Sequence, residues 1–342
     1  MHRGCTLLPR AHPSSSASRR TPYLVAFSDR QNTFKRSAPE RVLGIIGYPL
    51  EHTLSPAMHN AAFAVSGLDW VYAAFRVPPG SASAAVEAMR VLGLGGLSVT
   101  IPHKEEVLSA LDVLEPEAQA IGAVNTVFWT PDRDQLVGAN TDVEGFEKGL
   151  KTALGINLEG RSVVIIGAGG SARAVLWAAV TRGARHITVL ARTPSRASRM
   201  VRRICESAFA MLPSRTPPPI EICSMDGSLI EEALSNADLM VNATPLGSDG
   251  TSLPVPESAI HDRLYVFDLV YFPSKTPLVQ AGIRRGAGAA GGLEMLILQG
   301  ARQFEIWTGR PAPVSAMKRA AEESLRASLQ IRTSTAEIDR LE

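Results

Sequence analysis

The chain has 342 residues, room for two domains of ordinary size. Hydrophobic residues make up 45% and charged residues 20%, the balance of a globular protein with a substantial core rather than a fibrous or unfolded chain. A net charge of +2 gives no argument for a nucleic-acid partner, and no apolar run approaches membrane-spanning length.

The cysteines, Cys5, Cys205 and Cys223, are odd in number and lack metal-ligand spacing. That suits a reducing compartment and argues against a disulfide framework. The first 40 residues stand apart: Arg3, Arg10, Arg19, Arg20, Arg30, Lys35 and Arg36 face only Asp29 and Glu40 in a Ser- and Pro-rich stretch. An organelle transit peptide has this composition; so does a disordered tail, or a start codon placed too early. No secretory signal is apparent, so the expected location is the cytoplasm, with organelle targeting by the tail as the alternative.

Arg41–Gly47 reads as a buried strand, and Ser55 is placed to cap a helix starting at Pro56. Trp70–Phe75 reads as a strand, Ser83–Val91 as a helix, and Gly96–Ile101 as a strand running into a turn with His103 and Lys104. Further strands are expected over Ala123–Trp129 and leading into Asn140-Thr141-Asp142, then a bridging helix from about Val143 to Ala153. Strands alternating with helices predict an α/β domain with a mostly parallel sheet.

Four β-branched residues, Val163 to Ile166, precede Gly167-Ala168-Gly169-Gly170-Ser171-Ala172. A strand buried on both faces, a glycine turn and a helix start form a cradle for a pyrophosphate, and the pattern is G-x-G-x-x-A. Many glycine turns bind nothing, so context matters. The next strand, His186–Leu190, ends without the acidic residue that favours NAD. Arg192 follows instead, with Arg196 one helical turn on and Thr193-Pro194 at an N-cap and first helical position. Two guanidinium groups at a helix start suit a ribose phosphate, so the expected cofactor is NADP. Two solvated arginines on an exposed helix are the alternative.

Strands follow at Leu239–Asn242 and Tyr265–Val270, separated by the loop Ala243–Gly247. Pro213, Pro217, Pro218 and Pro219 mark an exposed loop, and the run Gly286–Gly292 ends the domain. Leu293, Leu296, Ile297, Gly300, Phe304 and Trp307 recur at helical spacing, and a charged tail or fraying helix begins near Ser324. The expected organisation is a tail over 1–40, a substrate domain over 41–142 plus 293–325, and a Rossmann-like nucleotide domain over 143–292.

From Arg41 to Pro311 the chain resembles the shikimate dehydrogenase family. The likeness rests on motifs in order: Gly47-Tyr-Pro with His52-Thr-Leu-Ser-Pro-Ala-Met-His-Asn60, Ser98-Val-Thr-Ile-Pro-His-Lys104, Gly122-Ala-Val-Asn-Thr126, and Asn140-Thr-Asp142. The glycine turn with Arg192-Thr193 follows, then Asn242-Ala-Thr-Pro-Leu-Gly247, Asp268–Pro277 and Met295–Gly300. The resemblance implies reversible NADPH-dependent reduction of 3-dehydroshikimate to shikimate, in the pathway to aromatic amino acids. It implies Lys104 and Asp142 as catalytic residues. Thr53, Ser55, Thr100, Asn125, Tyr271 and Gln299 would hold substrate, the first two at its carboxylate and Tyr271 closing the pocket. Gly167, Gly169, Gly170, Ser171, Ala172, Arg192, Thr193, Arg196, Thr244 and Gly292 would hold NADP. The family usually has Ser where this chain has Thr53, and Asn where it has Ala191.

The residues themselves leave alternatives. Ser55 and its neighbours also suit capping and turns, and Asn125 and Gln299 suit core hydrogen bonds. Lys104 lies near a helix start, where the dipole disfavours a cation, which suits a proton shuttle; a surface lysine neutralised by Glu105 and Glu106 is the competing reading. Proton donation and mere polarisation of a carbonyl both fit it. His52, His59 and His103 lack zinc spacing, and Ser171 lacks a G-x-S-x-G frame, so neither metal nor nucleophile chemistry is expected. Quinate, with one more hydroxyl, is the alternative substrate; a non-catalytic NADP-binding regulator would be expected to lose Lys104 or Asp142. A small-molecule partner is implied, no nucleic acid or membrane, in a monomer or a homodimer.

Overall fold

The computed structural model describes residues 39–338 apart from residue 215; the expected targeting tail lies outside the described residues. In chain order the first half comprises β1 (Arg41–Gly47), α1 (Ser55–Val65), β2 (Trp70–Arg76), α2 (Ala82–Leu92), β3 (Gly96–Val99), β4 (Val113–Leu114), α3 (Pro116–Ile121), β5 (Thr126–Trp129), β6 (Leu136–Ala139) and α4 (Asp142–Leu154). The second half comprises β7 (Ser162–Ile166), α5 (Gly170–Thr181), β8 (His186–Leu190), α6 (Pro194–Met211), β9 (Ile220–Cys223), α7 (Gly227–Ser235), β10 (Leu239–Asn242), β11 (Tyr265–Asp268), α8 (Pro277–Arg284), β12 (Gly288–Gly291), α9 (Leu293–Thr308) and α10 (Val314–Ile338).

The strands form two sheets. One has the order β2-β1-β3-β5-β6-β4 and the other β12-β11-β10-β7-β8-β9. The second is parallel throughout, as the β-branched run of β7 predicts for a strand buried on both faces. In the first, β5 runs antiparallel to both β3 and β6. The connection from β5 to β6 is a short turn, Thr130–Gln135, which only an antiparallel pair permits.

Two sequence expectations change and a third is decided. Ser55 begins α1 but makes no capping hydrogen bond; Leu54 holds the N-cap position. Gly286–Gly292 does not merely end a domain, because Gly288–Gly291 is the edge strand β12. Small residues are required there: a Cβ on Gly288 would lie 2.9 Å from the Tyr265 ring. Of the two expectations for the segment after Ser324, a tail or a helix, the helix holds: α10 continues through it, with Leu325 buried in the core beside Met317 and Ala321.

After the second sheet the chain returns to the first. Ile297, Phe304 and Trp307 of α9 share a core with Leu43, Met58 and Phe63. Helix α9 also crosses α4 at close range, because Gly145 and Gly149 leave room. A Cβ on Gly145 would lie 2.6 Å from that of Gln299. In the opposite direction, Ala120, Ile121 and Ala123 pack into the core of the second sheet with Val163, Trp177 and Met200. Helix α3 and the loop after it thus finish the core of the second sheet, and α9, which follows that sheet in the chain, finishes the core of the first.

Candidate active site

Lys104 lies five residues past the end of β3, in a turn whose carbonyl accepts the Val124 N–H at 2.8 Å. Its stem rests on the glycine turn of the second sheet. A Cβ on Gly170 would lie 2.9 Å from Lys104 Cβ and Cδ, so the extra glycine of that turn makes room for the lysine. Lys104 Nζ donates to Asp142 Oδ2 at 2.5 Å and to Ser171 Oγ at 3.3 Å. Its side chain is 13% exposed and that of Asp142 is 5% exposed, enough to reach a bound molecule while excluding bulk water. Neither acid expected to neutralise it does so. Glu106 accepts from the Ala82 N–H and pairs with His103, and Glu105 pairs with Arg173 and Arg196.

Asp142 opens α4, where the helix dipole favours an anion. Its N–H donates to Asn140 Oδ1 at 3.0 Å, and its Oδ1 accepts from Asn125 Nδ2 at 2.8 Å. The Asn125 amide also reaches Thr141 Oγ1 at 3.0 Å and Gln299 Oε1 at 3.2 Å, while its own Oδ1 accepts the Thr141 N–H. Lys104, Asp142, Asn125, Gln299 and Ser171 are therefore one hydrogen-bonded group at the junction of the two sheets. Polar groups this buried need such partners, and here each has them.

A second group sits at the start of α1. Thr53 Oγ1 accepts the Ser55 N–H at 3.4 Å, and the Ser55 hydroxyl is buried without a capping bond. Tyr271 reaches over from the loop after β11, its hydroxyl donating to the His52 carbonyl at 3.4 Å, and Phe272 stacks on the His52 ring at 4.4 Å. Burial pushes the Tyr271 phenol up to about 12, which keeps it a hydrogen-bond donor. Thr100 packs its methyl at Gly47, and its N–H donates to the Ile46 carbonyl at 2.9 Å.

The nucleotide motif divides further. Gly167 has φ +115°, and Gly169, the N-cap of α5, faces open space where a side chain would stand. The first-turn N–H groups of α5, Gly170, Ser171 and Ala172 among them, have no intrahelical acceptors and point out of the helix end. This cradle fits a pyrophosphate. Thr244 packs its methyl 3.1 Å from the Cβ position of Gly167 and gives its hydroxyl to Asn242. Gly292 is explained by packing, since a Cβ there would lie 2.3 Å from the Leu269 carbonyl oxygen. Arg192 and Thr193 are exposed; Thr193 holds the N-cap position of α6 without a side-chain bond. Arg196, expected with Arg192 at the cofactor phosphate, donates to Glu105 Oε1 at 2.7 Å.

A buried polar chain behind the site escaped the sequence reading. Gln303 Nε2 donates to the Asn125 carbonyl and to Thr126 Oγ1 at 3.0 Å each. Its Oε1 accepts from Ser98 Oγ, which accepts from the Tyr72 hydroxyl at 2.5 Å. Gln303 lies one helical turn after Gln299, the one signal that pointed to it. His59 stacks on Tyr72 at 4.5 Å, and burial pushes its imidazole down to about 3, so it stays neutral in the core. His103 is also structural, bonding the Val77 carbonyl at 2.8 Å.

Residues 45–127 match the shikimate dehydrogenase substrate binding domain, 149–216 match shikimate/quinate 5-dehydrogenase, and 292–322 match the shikimate 5'-dehydrogenase C-terminal domain. An NADP(+) shikimate dehydrogenase of Methanopyrus kandleri is 43% identical over 84% of this chain and 97% of its own length. The chain belongs to the shikimate dehydrogenase family. The same family includes the Thermus thermophilus enzyme solved with NADP(H) and shikimate, 34% identical with a TM-score of 0.71, covering 83% of this chain and 99% of that one. A quinate dehydrogenase of Corynebacterium glutamicum solved with NAD is also similar, at 32% identity and a TM-score of 0.72, over 82% of this chain and 98% of its own.

Proposed function

We propose that this protein is an NADP-dependent shikimate dehydrogenase, interconverting 3-dehydroshikimate and shikimate. The observation that carries the reading is the group formed by Lys104, Asp142, Asn125 and Gln299 against the glycine turn at Gly170 and Ser171.

Bound NADPH supplies the hydride, as nicotinamide cofactors do. The chain's own residues manage the oxygen that develops charge. In reduction the Lys104 ammonium stabilises the oxyanion and gives it a proton, leaving a hydroxyl and a neutral amine. In oxidation the amine takes the hydroxyl proton back. Asp142 keeps the amine aimed, and Asn125 keeps Asp142 aimed. Hydroxyls at Ser55, Thr53 and Thr100 suit the carboxylate and ring of a polyol acid, with Tyr271 closing the pocket from the side of β11. The first sheet with α9 and α10 forms the substrate half, residues 41–142 plus 293–325, and residues 143–292 form the nucleotide half. Arg192 and Thr193 take the ribose phosphate.

The test is turnover of shikimate and of quinate, each with NADP and with NAD, followed by nicotinamide absorbance. Shikimate with NADP is expected to give the highest kcat/KM. Preference for quinate would replace this reading with the second one, which Thr53 leaves open because quinate carries one more hydroxyl.

A further inference from the structure

Glu105 ties the two halves together through two arginines of unlike standing. Its Oε2 accepts from Arg173 at 2.7 Å and its Oε1 from Arg196 at 2.7 Å. Arg173, in the first turn after the glycine motif, is 10% exposed at its side chain and also donates to the Ile121 carbonyl. Arg196, in the first turn of α6, is 51% exposed. The first pair is fixed and the second exchangeable, because an ion pair open to solvent is weak. Arg192, four residues earlier, is exposed and has no ion pair among the described residues. The two arginines that the sequence assigns to one phosphate are thus unequal: one is available and the other already faces an anion.

Resting on the NADP reading above, we propose that Glu105 sets the affinity for the cofactor's 2′-phosphate by competing with it for Arg196. A phosphate dianion and a carboxylate bound to the same guanidinium repel each other, so the phosphate must either displace Glu105 or accept a neutralised partner. Glu105 cannot withdraw far, because the buried Arg173 side chain holds its other oxygen at 2.7 Å in a half-buried pair. The carboxylate is a built-in brake on discrimination between NADP and NAD, delivered from the residue next to Lys104. It acts on the 2′-phosphate alone, since a cofactor lacking that group does not contest Arg196.

The experiment is calorimetric binding of adenosine 2′,5′-bisphosphate and of 5′-AMP to the full chain. Wild type is compared with Glu105→Gln, Arg196→Gln and the double variant. Glu105→Gln is expected to tighten the bisphosphate by about 1.5-fold to fivefold, the size of an exposed charge pair, and to leave AMP unchanged. Arg196→Gln is expected to cost little in wild type and about 1.5-fold to fivefold more in the Glu105→Gln background. Glu105→Asp, too short to span both arginines, should tighten the bisphosphate as well and covers the case in which Glu105→Gln misfolds. Unchanged or weaker bisphosphate binding in the Glu105 variants overturns the proposal while leaving the NADP reading intact. A wild-type chain that binds both probes equally overturns the NADP reading and this proposal with it.

Discussion

Lys104 and Asn125 grip opposite oxygens of one carboxylate, Lys104 at Asp142 Oδ2 and Asn125 at Oδ1. Neither oxygen is left to solvent, and the carboxylate sits at the start of α4 where its charge is favoured. The lysine is therefore aimed by a group that is itself aimed from behind. Gln303 continues the support by holding the Asn125 backbone carbonyl.

Replacing Lys104 by Ala is expected to lower kcat by about 10²–10⁴, the range for a positioned proton-transfer group. Shikimate affinity should fall much less, because the hydroxyl and amide partners remain. Single-turnover hydride transfer and fluorescence titration of shikimate separate the two. A wild-type hydride rate with weakened binding would make Lys104 an anchor instead of the proton donor.

Gln299 owes its position to a missing side chain on the neighbouring helix. An added Cβ at Gly145 would lie 2.6 Å from Gln299 Cβ and 2.9 Å from its backbone nitrogen. Gly145→Ala is expected to cost about 1–3 kcal/mol by overpacking and to raise KM for shikimate, as α9 is pushed off α4. Gly227→Ala is the control: nothing lies within 4 Å of its Cβ position, so stability should hold. Urea melts and initial rates on both variants check this, and an unchanged KM in Gly145→Ala would show that Gln299 tolerates the shift.

The glycine turn and the arginines after β8 were legible because their chemistry is local: a strand, a turn and a helix start lie within one short stretch. The lysine's true neighbours were not local. Asp142 and Gly170 come from segments 38 and 66 positions away, and only the family likeness linked Asp142 to Lys104. Local acids misled in the same way, since Glu105 and Glu106 adjoin Lys104 in sequence and turn to other partners. Ser55 preceding a proline looked like a cap, yet the helix began one residue sooner. Strand β12 was invisible because Gly and Ala carry no β signal; its place is set by the Tyr265 ring and the edge of a sheet.

Arg192 is the exposed cation at the end of β8, with no acid on that strand end. Arg192→Asp is expected to weaken NADP far more than NAD, because it removes a phosphate partner and adds a repelling charge. The difference should shrink as salt rises. Equal losses for the two cofactors, measured by fluorescence titration at two ionic strengths, would remove Arg192 from the specificity role.

Asp268 closes β11 in a fully buried position, and burial pushes its carboxyl up to about 6 against hydrogen bonds from Thr276, Val270 and Asn242. Those bonds, at 2.6 Å from the Thr276 hydroxyl, 3.1 Å from the Val270 N–H and 2.8 Å from the Asn242 amide, favour the anion but do not offset its desolvation. The ordinary carboxyl value is 3.8, so the folded state holds a proton that the unfolded chain has released. The sign follows: this group's stabilising contribution is full below about pH 4 and is lost as pH rises through about 6. Two units of difference correspond to about 3 kcal/mol across that window. Asp268→Asn abolishes the titration while keeping the shape and an acceptor for the Asn242 amide. The stability of wild type minus that of the variant should therefore fall by about 2–3 kcal/mol between pH 4 and pH 7 and stay level above it. Urea melts on both proteins at matched pH values give that difference directly, with the other titrating groups cancelling. A flat difference would mean that the Thr276 and Asn242 bonds hold Asp268 ionised throughout, and that the loop carrying Tyr271 is fastened by a charge rather than by a shared proton.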